Sequence, residues 1–225
     1  MIKFIPLENY YDVFIYFCLF LVLTNVIHAT SLDINNNKPN LYFIGRTEKR
    51  KGADIFIDLV WWLSPNNYHQ ASIIGPHSYS EFGDSSQVLL QSMIDKRLIN
   101  IDIKPPKSRQ ELDKIFSQPA IIFLPSRYDT LNLLALESLF SGCPTAIGNG
   151  AGVCQFLEEN FPQLPWIKID VNNTYDCIPK LIDILENYND YRQQLKDALL
   201  IINTNTKDPN LSSIYHTENN HNLEV

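Results

Sequence analysis

Glycine is scarce in this chain of 225 residues, with 8 in all, about half the usual ~7% share. Four of the eight fall between 142 and 152, which marks that stretch as a loop with a task. Cysteine is limited to Cys18, Cys143, Cys154 and Cys177, with no C-x-x-C pair and no histidine at ligand spacing. This argues against a zinc site or a disulfide framework and fits reduced thiols in a cytosolic domain. Charge is also thin, at 19% of residues, but the 45% apolar fraction excludes disorder throughout. The length suits one domain with a sizeable core and is too short for two full α/β domains. Excess positive charge is missing as well. The formal net charge is −7, which excludes a general nucleic-acid binder, because counterion release needs clustered Lys and Arg. Any anion site must be local, and Arg46, Lys49, Arg50 and Lys51 form the one basic knot, whose plain alternative is a solvated turn.

Residues 10–27 form an apolar stretch broken by Asp12, Thr24 and Asn25. Its length is borderline for a membrane span, which needs about 20 residues. Glu8 and Asp12 stand where a signal peptide would carry positive charge, and no A-x-A site follows. Residues 1–30 are therefore read as a membrane span or as part of a missing neighbouring domain. If they span, the basic residues from Lys38 to Lys51 keep the remainder on the cytoplasmic side. The expected location is cytoplasmic, or the cytoplasmic face of a membrane. Residues 31–40, polar and rich in Asn, read as a linker, and 204–225 as a frayed polar tail.

Between them, over 41–203, apolar runs suited to buried parallel strands occur at 41–45, 71–75, 99–103, 120–124, 144–148 and 166–169. Helical patterns separate them. Ile55, Phe56, Leu59, Val60 and Leu63 make one stripe over 53–63. Further helices are expected at 87–97, after a Ser108–Glu111 capping box, at 131–140 with a stop at Gly142, and at 153–159, 175–187 and 189–202. Six alternations of strand and helix predict an α/β fold, a doubly wound and mostly parallel sheet forming a single Rossmann-like domain. In such a sheet the ligand lies beyond the carboxyl ends of the strands. The residues there are Arg46 to Lys51, Pro76 and His77, Lys104, Pro125 to Thr130, and Asn149 to Gly152.

Arg46 and Lys51 flank the turn between the first strand and its helix. A guanidinium fork, a mobile ammonium and the free N–H groups of a helix start make a diphosphate cradle. Asp129 sits at a second strand-to-helix turn, where it is either an N-cap or a ligand contact. Glu137 follows in the helix, so the two carboxylates are separated by roughly 10 to 12 Å. That is too far for a hydrolase pair, which works within about 10 Å, but suits an extended ligand held at two hydroxyl-bearing ends. Glu137 has Leu133, Leu134, Leu136, Leu139 and Phe140 around it, and a carboxylate so placed calls for a partner unless it faces solvent.

The runs LYFIGRTEKRKGADIFIDL, IIFLPSRYDTLNLLALESLFSGCPTAI and GAGVCQFLEE together resemble the donor-binding, C-terminal half of retaining nucleotide-sugar glycosyltransferases of the two-Rossmann-domain (GT-B) type, glycosyl transferases group 1. The resemblance covers about 40–200. It implies that Arg46 and Lys51 bind the donor diphosphate. Asp129 and Glu137 match the two acidic positions of the E-x7-E motif, the first at the donor sugar hydroxyls and the second at the nucleotide ribose. The backbone amides of Leu131, Asn132 and Leu133 approach the sugar and phosphates. Catalytic roles fall to Arg46, Lys51 and Asp129. The implied donor is a UDP- or GDP-sugar, the acceptor a glycan, a lipid or another molecule, and no cofactor or metal is called for. There are departures: Asp129 replaces a Glu, Leu131 and Asn132 stand where Phe and Gly are common, and Gln155 replaces a Glu after the loop at 148–152. The N-terminal, acceptor-binding Rossmann domain has no room in 1–40 and is expected as a missing segment or partner chain. His28, His69 and His77 do not replace its catalytic His. A truncated, non-catalytic nucleotide-sugar-binding module is the alternative, and a sugar-nucleotide 2-epimerase ranks below both.

Overall fold

A computed structural model of the chain describes residues 38–66, 68–77 and 85–206, with side chains as far as residue 202. The apolar stretch at 10–27, most of the linker and the tail beyond 206 lie outside the described residues. Six strands form one sheet: β1 (Asn40–Ile44), β2 (Ala71–Ile74), β3 (Ile101–Lys104), β4 (Ala120–Leu124), β5 (Thr145–Gly148) and β6 (Ile167–Ile169). Their order is β3-β2-β1-β4-β5-β6 and every pairing is parallel. The helices are α1 (Ala53–Leu63), α2 (Ser86–Arg97), α3 (Arg109–Ser117), α4 (Leu133–Phe140), α5 (Val153–Asn160), α6 (Ile178–Glu186) and α7 (Tyr188–Thr206). All six expected strands are present, and the doubly wound α/β reading holds.

The strand side chains alternate between two cores, as the pleat requires. Leu41, Phe43, Ile121 and Phe123 point to one face, under α1, α2 and α6. Ile44, Ile122, Leu124 and Ile147 point to the other, under α3, α4, α5 and α7. Both faces are covered, so the central strand β4 is buried at every residue, which explains its unbroken apolar run AIIFL. The chain changes face between α2 and α3. As a result β1 and β4 are neighbours whose following helices leave on opposite sides of the sheet.

Local chemistry sets the helix ends. The Ser108–Glu111 capping box forms in full, and the Lys107 ammonium with the Ser108 N–H and hydroxyl holds the Glu111 carboxyl down to about 2. The expected helix at 175–187 is instead a 3-10 turn (Thr174–Cys177) followed by α6. Pro179 is the reason: it lacks an N–H and its ring excludes a helical carbonyl four residues back, so the α-helix restarts with the proline in its first turn. Strand β1 begins at Asn40 and α7 runs on to Thr206, each a little beyond the expected domain limits.

Of the four clustered glycines, Gly142 follows α4 and precedes β5, with φ +73° and beside the Lys196 side chain, while the remaining three pack backbone on backbone. A Cβ on Gly148 would lie 2.6 Å from the Ser126 carbonyl oxygen, one on Gly150 2.0 Å from that of Arg127, and one on Gly152 2.2 Å from that of Thr130. The β5–α5 loop is thereby pressed along the whole segment after β4, and the Gly152 N–H donates to the Asp129 carbonyl at 3.0 Å. The loop's task is to shape its neighbour. Among the described residues no helix is long and apolar enough to cross a membrane.

Helix α7 is stapled to the sheet by two polar groups one turn apart. The Tyr188 hydroxyl accepts from the Ala120 N–H at 2.8 Å and donates to the Ala120 carbonyl at 3.1 Å. The buried Arg192 guanidinium donates to the carbonyls of Phe116, Ser117 and Gly142 at 3.2, 2.9 and 3.3 Å. These carbonyls close α3 and the turn after α4, where a cation also suits the helix dipole. Replacing Arg192 with Met strands them in a dry setting and is expected to lower stability by about 2–4 kcal/mol in urea unfolding. Gly150→Ala drives a methyl into the Arg127 carbonyl and should cost about 1–3 kcal/mol in the same measurement.

Candidate active site

The candidate site is a cleft of about 200 Å³ beyond the carboxyl ends of β1 and β4, where the strand order reverses. Phe43, Ile44, Leu124 and Leu134 give it apolar walls; Arg46, Lys51, Ser126 and Asn132, with the backbone of Gly45, form its polar rim. Both α1 and α4 start here. Their N-cap residues, Gly52 and Asn132, supply no side-chain capping bond, so the first N–H groups of two helices have no side-chain acceptor.

The basic residues are presented by a 3-10 turn (Lys49–Lys51) that ends at Gly52. Only glycine suits that position, since its φ is +78° and a Cβ would lie 2.1 Å from the Pro125 carbonyl oxygen. The cations hold one another's counter-charges. Lys51 Nζ contacts Asp129 Oδ2, with Arg50 Nη1 4.0 Å from Asp129 Oδ1. Glu48 bridges two arginines, to Arg46 Nη1 at 2.9 Å and Arg50 Nε at 2.6 Å.

Arg127 completes the frame. It forms a bidentate pair with Asp54 at 2.7 Å for each bond and donates to the Lys49 carbonyl at 2.7 Å, while its own N–H donates to the Arg50 carbonyl at 2.8 Å. The basic turn and the segment after β4 are thus locked together. The carboxylate of Asp54 is what holds the Arg127 guanidinium more firmly protonated than usual.

Asp129 is not an N-cap. Its N–H donates to the Gly150 carbonyl at 3.2 Å, its carbonyl accepts from Gly152, and it forms an isolated bridge with Ala151. Held extended by that bridge, the chain turns only afterwards, so the helix begins at Leu133 and not at Leu131, with Asn132 as its N-cap. Leu131 and Asn132 precede the helix and Leu133 opens it, which places the three amides at its N-terminus.

Glu137 stands about one turn further along α4, half-buried. The partner that its setting calls for is Arg109, the first residue of α3, whose Nη1 lies 2.6 Å from Glu137 Oε1. Burial raises the Glu137 pKa, Arg109 opposes that rise, and Asp113 adds to it. Of the residues singled out in the sequence, Arg46, Lys51 and Asn132 line the cleft together, Asp129 joins it through Lys51, and Glu137 is set apart on α4.

Arg109 is not singled out by the sequence, and Arg127 enters only within the segment Pro125 to Thr130. Arg127 had a signal, a cation just after a strand in the segment expected to face ligand. Arg109 had none beyond its place in a first helical turn. Gln155 is exposed and donates to Glu159 at 2.8 Å. His69 and His77 are exposed, His69 at the opposite end of the sheet. Burial pushes the thiols of Cys143, Cys154 and Cys177 up to about 12, 11 and 11, which leaves them unreactive near neutral pH. Among the described residues no group of three or more His, Cys, Asp or Glu is placed to hold a metal ion.

Comparison with known proteins agrees with this architecture. An uncharacterized 41.2 kDa protein in the cps region of Klebsiella pneumoniae is 22% identical over 127 residues, covering 56% of this chain and 32% of that protein. The chain thus spans about a third of that relative's length. The crystal structure of TarM shares the fold with a TM-score of 0.62 and 16% identity over 86% of this chain and 37% of TarM. Anabaena HepE, solved in complex with UDP and glucose, shares it with a TM-score of 0.60 and 13% identity over 80% of this chain and 47% of HepE. A family model, glycosyl transferases group 1, matches residues 27–199, from before β1 into α7, and the chain belongs to that family.

Proposed function

We propose that the cleft binds a nucleoside diphosphate sugar, linked to UDP or GDP, and that the chain is the donor-binding half of a retaining hexosyltransferase acting on a glycan, lipid or other acceptor. The observation that carries this reading is the meeting of Arg46, Lys51 and two helix starts without side-chain caps at the β1/β4 switch point. A diphosphate is the ligand whose charge and oxygen count suit that arrangement. Arg46 and Lys51 take the diphosphate and stabilise it as it departs. The amides of Leu131, Asn132 and Leu133 approach the phosphates and sugar, Asp129 takes sugar hydroxyls, and Glu137 takes the ribose. Side-chain cations supply the neutralising charge in this scheme, without a cofactor. The reaction is assigned to the cytoplasmic side.

Transfer also needs an acceptor-binding half, which a further segment or a partner chain would supply. A second reading is a nucleotide-sugar-binding module without turnover of its own; the chain spans 37% of TarM and 47% of HepE. Radiolabelled donor separates the two: appreciable transfer by this chain alone contradicts the second.

Calorimetry with UDP and GDP tests the site. Lys51→Ala is expected to weaken binding by roughly 10- to 100-fold, the loss of a charge-assisted contact, and Glu137→Ala by less. Unchanged affinity in both variants would sink the assignment. Glu48 competes with the ligand for Arg46 and Arg50, so Glu48→Gln should tighten UDP binding by about threefold, as for an exposed ion pair.

A further inference from the structure

Arg109 lies outside the diphosphate cradle, yet its guanidinium is held from two sides. On its own helix its Nε donates to Asp113 Oδ1 at 2.9 Å, and across the interhelical gap its Nη1 lies 2.6 Å from Glu137 Oε1. Arg109 and Asp113 form an exposed i,i+4 pair, while the Glu137 carboxylate that the same guanidinium meets is the more buried partner. Glu137 meets Arg109 as its cation among the described residues. It is the only charged residue of α4, and of the elements packed on that helix β5 carries no charge. On α5, Glu158 pairs with Lys168 and Glu159 accepts from Gln155. Arg109 and Asp113 are the charged groups that face Glu137.

We propose that Arg109 is a positioning residue for nucleoside recognition, holding and orienting the Glu137 carboxylate so that it accepts hydrogen bonds from the ribose hydroxyls of a nucleoside diphosphate. This rests on reading the cleft as a nucleotide site. The cation has work to do because burial alone favours the neutral carboxyl, which is the poorer acceptor. Without Arg109, Glu137 takes up a proton at higher pH, and its hydrogen bonds to ribose are lost over a wider acid range. The diphosphate contacts, at the other end of the ligand, are untouched.

The test uses the full chain and its Arg109→Ala and Arg109→Lys variants, titrated by calorimetry with UDP and with inorganic pyrophosphate across pH. Arg109→Ala is expected to weaken UDP binding by about tenfold near neutral pH, the share of one charge-assisted hydrogen bond. It should also move the acid-side loss of UDP affinity to higher pH and leave pyrophosphate binding as it was, and Arg109→Lys should restore most of the loss. A UDP profile superimposable on that of the unaltered chain overturns the proposal, as does an equal loss of UDP and pyrophosphate. If the unaltered chain binds neither probe, the reading of the cleft fails and the role in nucleoside recognition with it, and the carbon-13 titration of the Glu137 carboxyl then tests only the role of Arg109 in holding that carboxylate. A midpoint that rises in Arg109→Ala and returns in Arg109→Lys upholds that role; one that stays fixed overturns it.

Discussion

Everything at the cleft depends on the parallel pairing of β1 with β4. The strands run in register from Asn40 opposite Ala120 to Phe43 opposite Phe123, and their carboxyl ends therefore open side by side. Because α1 and α4 leave on opposite faces, a gap remains between their first turns that no side chain closes. Parallel strands need long crossovers, so the residues meeting there are far apart in sequence. Lys51 and Asp129 touch across 78 positions, and Arg127 reaches Asp54 across 73. Neither pair can form before the sheet is assembled.

Two kinds of ion pair share this small region and differ in consequence. Arg127 and Asp54 meet as a planar fork with both bonds made, and they tie the basic turn to the segment after β4. They are part of the frame. Lys51 with Asp129, and Glu48 with its two arginines, are arranged around the opening itself. An anion placed there would exchange one set of charge contacts for another, since Arg46, Arg50 and Lys51 are already paired, and its gain would be the difference between the two sets.

The sheet was legible because its signals are local: short apolar runs bounded by turn residues, and helical stripes between them. Boundaries slipped where a distant contact outweighed the local pattern. The start of α4 moved from Leu131 to Leu133 because Asp129 is bridged to Ala151, and the sixth helical stretch divided at Pro179, a residue visible in the sequence but not weighed. In the site, Arg46, Lys51, Asp129 and Glu137 could be picked out by residue type and position after a strand. Their partners could not. Arg109 and Arg127 carry ordinary charges in ordinary turns, and only the folded topology sets them against Glu137 and Asp54. The clustered glycines announced a loop of consequence, and the structure adds which backbone they lie against.

The position of Arg192 has a consequence for how the chain is made. The carbonyls it satisfies belong to residues synthesised much earlier, at the ends of α3 and just past α4, and Tyr188 reaches back to the first residue of β4. During synthesis, when domains form from the N-terminal side onward, the carbonyls at the ends of α3 and just past α4 wait for their cation until α7 emerges. The opposite face can gather α1 and α2 well before then. The last helix among the described residues therefore acts as the latch of the fold, and the ribosome sets the moment at which it closes.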